Sequence, residues 1–406
     1  MPPATILKDV LTQLLPRPED HHVVYEVDAF LTKLGQQLRK NRIDAKPVLG
    51  GSFAKDTWLT GDYDVDVFVA FDLRHKERNL SDMLAKALKP WRVDRVHGSR
   101  DYFQIKGRIN YEIIPVLAIK KSSDAQNVTD FSPKHVAWVN TQGRKLKDDI
   151  RLLKKFCKAQ RVYGAESYIR GFSGHVVDIL IIHHGGFLKL LKAATKWHPK
   201  TILDHNNAYK GKALLVLNES KIQGPLVLID PVQPDRNAAA ALTQENYDKF
   251  IAAAKAFLTR PSPSFFTEKK PDFDVLKKKG AVLVHTKTVR EKEDVAGTKM
   301  VKAFEFLKQR LLKNEFHLVD TGWNWDKKAT GTFWFLTKEK TLPSTMKREG
   351  PPVKLEKNAK EFRKKYKRVK SVKGRLVAIV AREFRTPQAV VKAHLKDDYL
   401  KDKGSF

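Results

Sequence analysis

Asp64-Val65-Asp66-Val67-Phe68-Val69-Ala70-Phe71 sets two carboxylates two residues apart at the head of an apolar run. In an extended chain, residues i and i+2 share a face, so Asp64 and Asp66 project together. An acidic pair also suits a solvated strand end, but the apolar continuation through Val67, Phe68 and Val69 argues against that here. A third carboxylate fits at Glu112, in Asn110-Tyr111-Glu112-Ile113-Ile114-Pro115, where apolar neighbours predict a buried strand carrying one charge. Three converging carboxylates would hold two divalent cations, able to activate a 3′ hydroxyl, orient a phosphate and neutralise a leaving pyrophosphate.

Upstream, residues 45–49 read as a short strand despite Pro47, turning at Gly50-Gly51 into a short helix that starts near Ser52. Such a bend is an ordinary helix cap on its own. Ahead of an acidic pair, the backbone N–H groups at Gly51 and Ser52 and the Ser52 hydroxyl can cradle phosphates, with Lys55 within reach of the same anion.

The partner implied by charge is a polyanion, because 77 Lys and Arg stand against 46 Asp and Glu, a net charge of +31. A solvated basic surface would explain the excess equally well, so charge alone does not separate enzyme from binder. With 406 residues, 42% of them hydrophobic, the chain can bury a core and is long enough for two to four domains. A single cysteine, Cys157, excludes an internal disulfide and a cysteine-based zinc site. No apolar stretch approaches a membrane span and no signal-like start is present, which predicts a soluble cytoplasmic protein with no membrane partner.

Helical spacing covers residues 6–14 and 22–40, the latter through Val24, Val27, Phe30, Leu31, Leu34 and Leu38, and both helices are expected to pack on the first domain. With strands at 64–71, 102–106 and 110–114, these outline a small α/β catalytic domain ending near residue 130. Residues 133–197 read as helical, most clearly at 150–159 and 175–191. A strand at 226–229 and a helix at 244–258 follow, and Pro261-Ser262-Pro263-Ser264 marks a linker or turn. Beyond it, strands at 281–286, 316–318, 331–336 and 375–380 and a helix at 301–312 suggest α+β modules. Adjacent His183 and His184 point about 100° apart on a helix and make poor joint metal ligands.

Gly51-Ser52-Phe53-Ala54-Lys55-Asp56-Thr57-Trp58-Leu59, Asp64-x-Asp66 and Glu112 together resemble the archaeal, class I CCA-adding enzymes, tRNA nucleotidyltransferases of the polymerase β-type superfamily. The resemblance continues through Arg151-Leu152-Leu153-Lys154, Tyr163-Gly164-Ala165-Glu166, Arg170-Gly171-Phe172-Ser173-Gly174 and the run from Asp230-Pro231-Val232 to Asn237-Ala238-Ala239. It implies an α+β multidomain chain: a polymerase β-like nucleotidyltransferase head (1–130), a helical and mixed neck (131–260), a body (261–345) and an α+β RNA-binding tail (346–406). It also implies template-independent addition of CCA to the 3′ end of tRNA from CTP and ATP with Mg²⁺.

By that resemblance, Asp64, Asp66 and Glu112 bind metal, and Ser52, Lys55, His135, Lys154 and Tyr163 contact the triphosphate. Arg236 reads the Watson-Crick edge of the incoming base, where a fork of donors suits acceptors on C or A and opposes the N3–H of uracil. Relatives often carry arginine at Lys55 and aspartate at Glu112, departures that bear on metal geometry rather than reaction class. From the residues alone, each has a plainer reading: His135 a surface histidine, Lys154 a lysine lying over an apolar stripe, Tyr163 core, Arg236 a salt-bridge partner of Asp235.

Between Thr341 and Arg375 the chain carries 13 Lys or Arg against three Glu. Arg363, Lys364, Lys365, Lys367 and Arg368 form a run long enough to follow several phosphates, which fixes position and salt dependence rather than base identity. Trp323, Trp325, Phe333, Trp334 and Phe335 add aromatic groups, divided between core and surface. The resemblance implies that body and tail clamp the acceptor stem and T-arm of tRNA, and it leaves a homodimer open. Two competitors remain: a poly(A)- or oligoadenylate-type transferase on the same fold, and a noncatalytic RNA-binding protein.

Overall fold

The computed structural model describes residues 2–406, in two compact units that meet in sequence at Lys269 and Lys270. The first unit begins with α1 (Pro3–Leu14), α2 (His21–Lys40), β1 (Ala45–Leu49), α3 (Gly51–Ala54), β2 (Asp64–Phe71) and α4 (Leu80–Ala87). Then come β3 (Asp94–Val96), β4 (Tyr102–Ile105) and β5 (Asn110–Leu117). The strands form one sheet in the order β1-β2-β5-β4-β3, in which β2 and β5 are parallel and all other neighbours antiparallel.

Alternation along β2 buries Val65, Val67, Val69 and Phe71 completely. They share a core with Val23, Val27, Phe30, Leu34 and Leu38 of α2. The buried stripe thus starts at Val23, and Val24, expected inside, is 43% exposed. Both valines lie one helical turn before Val27, but only Val23 falls on the line that continues to Phe30 and Leu34.

The rest of the first unit is α5 (Ser132–Gln142), α6 (Lys147–Ala159), α7 (Gly174–His184), α8 (Phe187–Ala194), β6 (Thr201–Leu203), α9 (Ala213–Val216), β7 (Leu226–Leu228) and α10 (Gln244–Thr259). Strands β6 and β7 pair in parallel. The helix expected over 175–191 is two helices, because Gly185 (φ +71°) and Gly186 (φ +132°) leave the helical region, and Gly185 N–H closes α7 on Ile181 O at 2.8 Å. A second correction concerns α1. Ile6, Val10 and Leu14 join the core of Ile150, Leu153 and Phe156 from α6 rather than the core beneath the sheet. Cys157 is fully buried in that helical core, and burial pushes its thiol far above the ordinary range, so it is inert.

The second unit holds α11 (Phe273–Lys278), β8 (Val282–Lys287), α12 (Glu293–Lys313), β9 (Leu318–Trp325), β10 (Thr330–Thr337), β11 (Thr345–Pro352), α13 (Glu356–Lys365), β12 (Val369–Val372), β13 (Arg375–Ala381) and α14 (Pro387–His394). It contains two antiparallel sheets, β8-β10-β9 and β11-β13-β12. Phe304, Leu307 and Leu311 of α12 pack on Phe333 and Phe335 of β10. Phe316 is buried ahead of β9, whose strand begins only at Leu318, where the sequence pattern was expected to end. Among the aromatic residues, Phe333, Trp334 and Phe335 are core, with Trp334 Nε1 donating to Asp320 Oδ1 at 3.1 Å. Trp323 and Trp325 are partly buried against the same core. Among the described residues no helix is long and apolar enough to cross a membrane.

Candidate active site

Parallel pairing of β2 with β5 sets Asp66 directly beside Glu112 and Asp64 beside Asn110. Register neighbours in a sheet share a face, so the three carboxylates expected from sequence come together on one side of adjacent strands. Asn110 Nδ2 donates to Asp64 Oδ1 at 2.9 Å, and Gln104 Nε2 donates to Glu112 Oε1 at 2.7 Å. Burial, then the charges of Glu112 and Asp64, push the Asp66 carboxyl up to about 6 against the opposing pull of Lys55 and Lys154.

The Gly50-Gly51 turn closes on this cluster, with Gly50 N–H donating to Asp66 O at 2.8 Å. Gly51 has φ +53°, and a Cβ there would lie 1.6 Å from Asp66 Oδ2. Only glycine lets the backbone beside Ser52 approach the carboxylate so closely.

Residues 55–58 are pinned to α6 and α7. Lys55 Nζ donates to Asp178 Oδ2 at 2.6 Å, a buried ion pair. Arg151 donates to Asp56 Oδ1 at 2.8 Å and to Trp58 O at 3.3 Å, while Lys154 Nζ donates to Thr57 O at 3.0 Å. Lys154 is thus buried, and burial, only partly offset by Asp178 and Asp62, lowers its ammonium to about 8. Burial likewise pushes the Tyr163 phenol well up. Lys158 Nζ sits 5.3 Å from the Tyr163 ring centroid.

His135 and Arg236 meet at a different carboxylate. Asp230 Oδ1 accepts from His135 Nε2 at 3.1 Å, and its Oδ2 accepts from Arg236 Nη1 at 3.2 Å. His175 Nε2 is 3.3 Å from the same Oδ2. Burial would raise the Asp230 carboxyl, but the His135 and His175 imidazoles outweigh it and hold the group far below the usual range. Arg236 therefore pairs with Asp230, whereas Asp235, its partner in the plainer reading of the sequence, lies 3.5 Å from Lys221. His135 is buried rather than on the surface. Asn237 is a buried turn brace, its Oδ1 accepting from Leu228 N–H at 3.0 Å and Ala239 N–H at 2.9 Å. His184 is lowered to about 4 by burial and by His183, whose ring centroid is 4.8 Å away.

Asp178, His175 and the role of Asp230 were missed by sequence reasoning. A signal existed for Asp178: it is the one charge in Val176-Val177-Asp178-Ile179-Leu180-Ile181-Ile182. In the second unit, Arg363, Lys364 and Lys365 end α13 and Lys367 and Arg368 lead into β12, all five exposed.

Three family models cover most of the chain. Residues 31–123 match the nucleotidyltransferase domain, 148–267 the second domain of tRNA nucleotidyltransferase, and 281–400 the C-terminal domain of the CCA-adding enzyme. A CCA-adding enzyme of Nanoarchaeum equitans is 33% identical over 380 residues, 92% of each chain. This chain belongs to the CCA-adding enzyme family. A second CCA-adding enzyme, from Methanocaldococcus jannaschii, is 31% identical over 398 residues, 93% of this chain and 88% of that one. A cytoplasmic RNA terminal U-transferase superposes with TM-score 0.51 at 12% identity over 66% of this chain and 98% of its own, a likeness of fold alone. The CCA-adding family and the polymerase β-like fold make the chain a tRNA nucleotidyltransferase, and neither competing reading is favoured.

Proposed function

We propose that the chain builds the CCA end of tRNA from CTP and ATP at the Asp64, Asp66 and Glu112 cluster, with Mg²⁺ as the metal. The pairing of Asp66 with Glu112, closed over by Gly51, is the observation that carries this reading. These residues suit the ion: carboxylate oxygens are hard ligands, and Asp66, raised by burial and then by the charges of Glu112 and Asp64, would be relieved by a divalent cation. Mg²⁺ bound there would supply charge neutralisation and activation of the tRNA 3′ hydroxyl.

The remaining roles fall to the protein. Gly51 and Ser52 present backbone and hydroxyl donors to the triphosphate, and Lys55, Lys154, His135 and Tyr163 surround it. Lys55 must share its ammonium between Asp178 and the nucleotide. Arg236 selects the base by setting a donor opposite the ring nitrogen that accepts in cytosine and adenine and carries a proton at N3 of uracil. Arg363, Lys364, Lys365, Lys367 and Arg368 hold the tRNA backbone, and the head, neck, body and tail divide at about residues 130, 260 and 345.

The deciding experiment incubates the chain and Mg²⁺ with tRNA lacking its last three nucleotides and reads product length. We expect two additions with CTP, three with CTP and ATP, and none with UTP or with chelator present. Unlimited addition from ATP alone would instead indicate a polyadenylating enzyme, and binding without extension a noncatalytic one.

Lys154 gives this reading a pH signature. Its charge is present below about 8 and lost above it, so kcat/KM for CTP falls several-fold between roughly pH 7.5 and 9, reporting the free enzyme. Lys154→Arg keeps its charge and flattens that limb. Identical profiles for the two proteins would remove Lys154 from the triphosphate site.

A further inference from the structure

Asp230 is fully buried just after β7 and is crowded with donors. Besides His135, its Oδ1 accepts from the N–H groups of Val232 at 3.0 Å and Gln233 at 3.2 Å. Arg236 occupies Oδ2, with His175 alongside. One carboxylate therefore ties α5, α7 and the Arg236 loop together. His135, His175 and Asp230 do place ligand atoms within 4.8 Å of one another, a spacing a metal ion could use. The Arg236 guanidinium already brings positive charge to that carboxylate, and the other donors take up its remaining lone pairs, which disfavours a cation there.

We propose that Asp230 is a positioning residue that couples the choice of base at Arg236 to the grip on the triphosphate at His135. This rests on the nucleotide-binding reading of both residues. A guanidinium carries five donors in a fixed plane. With Nη1 committed to Asp230, the orientation of the rest is set before a nucleotide arrives. His135 donates through Nε2 to the same group, which leaves Nδ1 as the ring edge that can face a phosphate, donating there when the ring carries both protons. A base that displaces Arg236 pulls on Asp230 and hence on His135, so a poor base match is also felt as a poorly seated triphosphate.

A double-mutant cycle tests the coupling without touching Asp230. kcat and KM are measured for CTP and UTP on the shortened tRNA with wild type, His135→Ala, Arg236→Ala and the double variant. If the residues are coupled, the double variant departs from the product of the single effects on kcat/KM by about tenfold, within the range of neighbouring groups in one network. Asp230→Asn should both raise KM for CTP and reduce the CTP-over-UTP preference, and Asp230→Glu should recover part of each. Multiplicative single effects, or an Asp230→Asn protein that keeps its base preference while Arg236→Ala loses it, would overturn the proposal. Should Asp230→Asn fail to fold, the cycle alone decides. If His135→Ala leaves KM unchanged and Arg236→Ala leaves base preference unchanged, the nucleotide-site reading itself has failed and takes the coupling with it.

Discussion

Asp66→Asn is expected to lower nucleotide addition by about three orders of magnitude, roughly 4 kcal/mol of transition-state stabilisation, while tRNA affinity stays near wild type. Asparagine keeps the shape of the side chain and removes one of three charges gathered by the pairing of β2 with β5. Single-turnover extension and filter binding of the same tRNA separate the two effects. The substitution should also raise the melting temperature of the metal-free protein at pH 7. The folded-state value of Asp66 is raised from 3.8 to about 6, so its stability contribution is present in acid and lost as pH rises through about 6, at a cost of roughly 3 kcal/mol. The thermal advantage of asparagine therefore shrinks between pH 7 and pH 5. Full Mg²⁺-dependent addition by Asp66→Asn would refute the carboxylate assignment.

Gly51→Ala should be nearly as damaging, although it alters no charge. The new methyl group would sit 1.6 Å from Asp66 Oδ2, and at φ +53° the backbone is also strained for any L side chain. Relief requires the turn or the carboxylate to move by an ångström or more, and displacement on that scale costs about 100-fold in rate. Gly61→Ala is the matched control. Gly61 has φ +77° with open space around its absent Cβ, so alanine there should lower stability by about 1 kcal/mol and leave addition intact. Equal activity losses at both positions would show that backbone strain, rather than collision with Asp66, is responsible.

Local patterns made the sheet of the candidate site legible. The two-residue period of Asp64–Phe71, the glycine turn and the lone Glu112 in an apolar strand needed only neighbours in sequence. The same reasoning failed where local signals tie or where packing is decided at long range. Val23 and Val24 both lie about one turn before Val27, so local spacing alone left the choice open, and α1 is amphipathic whichever core it joins. The Lys55 to Asp178 pair spans 123 residues and the His135 to Asp230 pair 95. Nothing in periodicity or charge chooses such partners, because each is set by how α5, α6 and α7 settle against the sheet. Buried lysines posed the same difficulty: Lys154 looks like a surface residue until Thr57 and its neighbours close over it.

The placement of α1 carries a consequence for synthesis on the ribosome. Its twelve residues precede α6 by more than a hundred positions, yet Ile6, Val10 and Leu14 are buried with Ile150, Leu153 and Phe156. A helix of that length is marginal alone in water. At about 5–20 residues per second, translation completes α6 roughly 7–30 s after α1 is made. α1 is thus made well before its partners, and its apolar face can be buried against Ile150, Leu153 and Phe156 only once α6 has emerged.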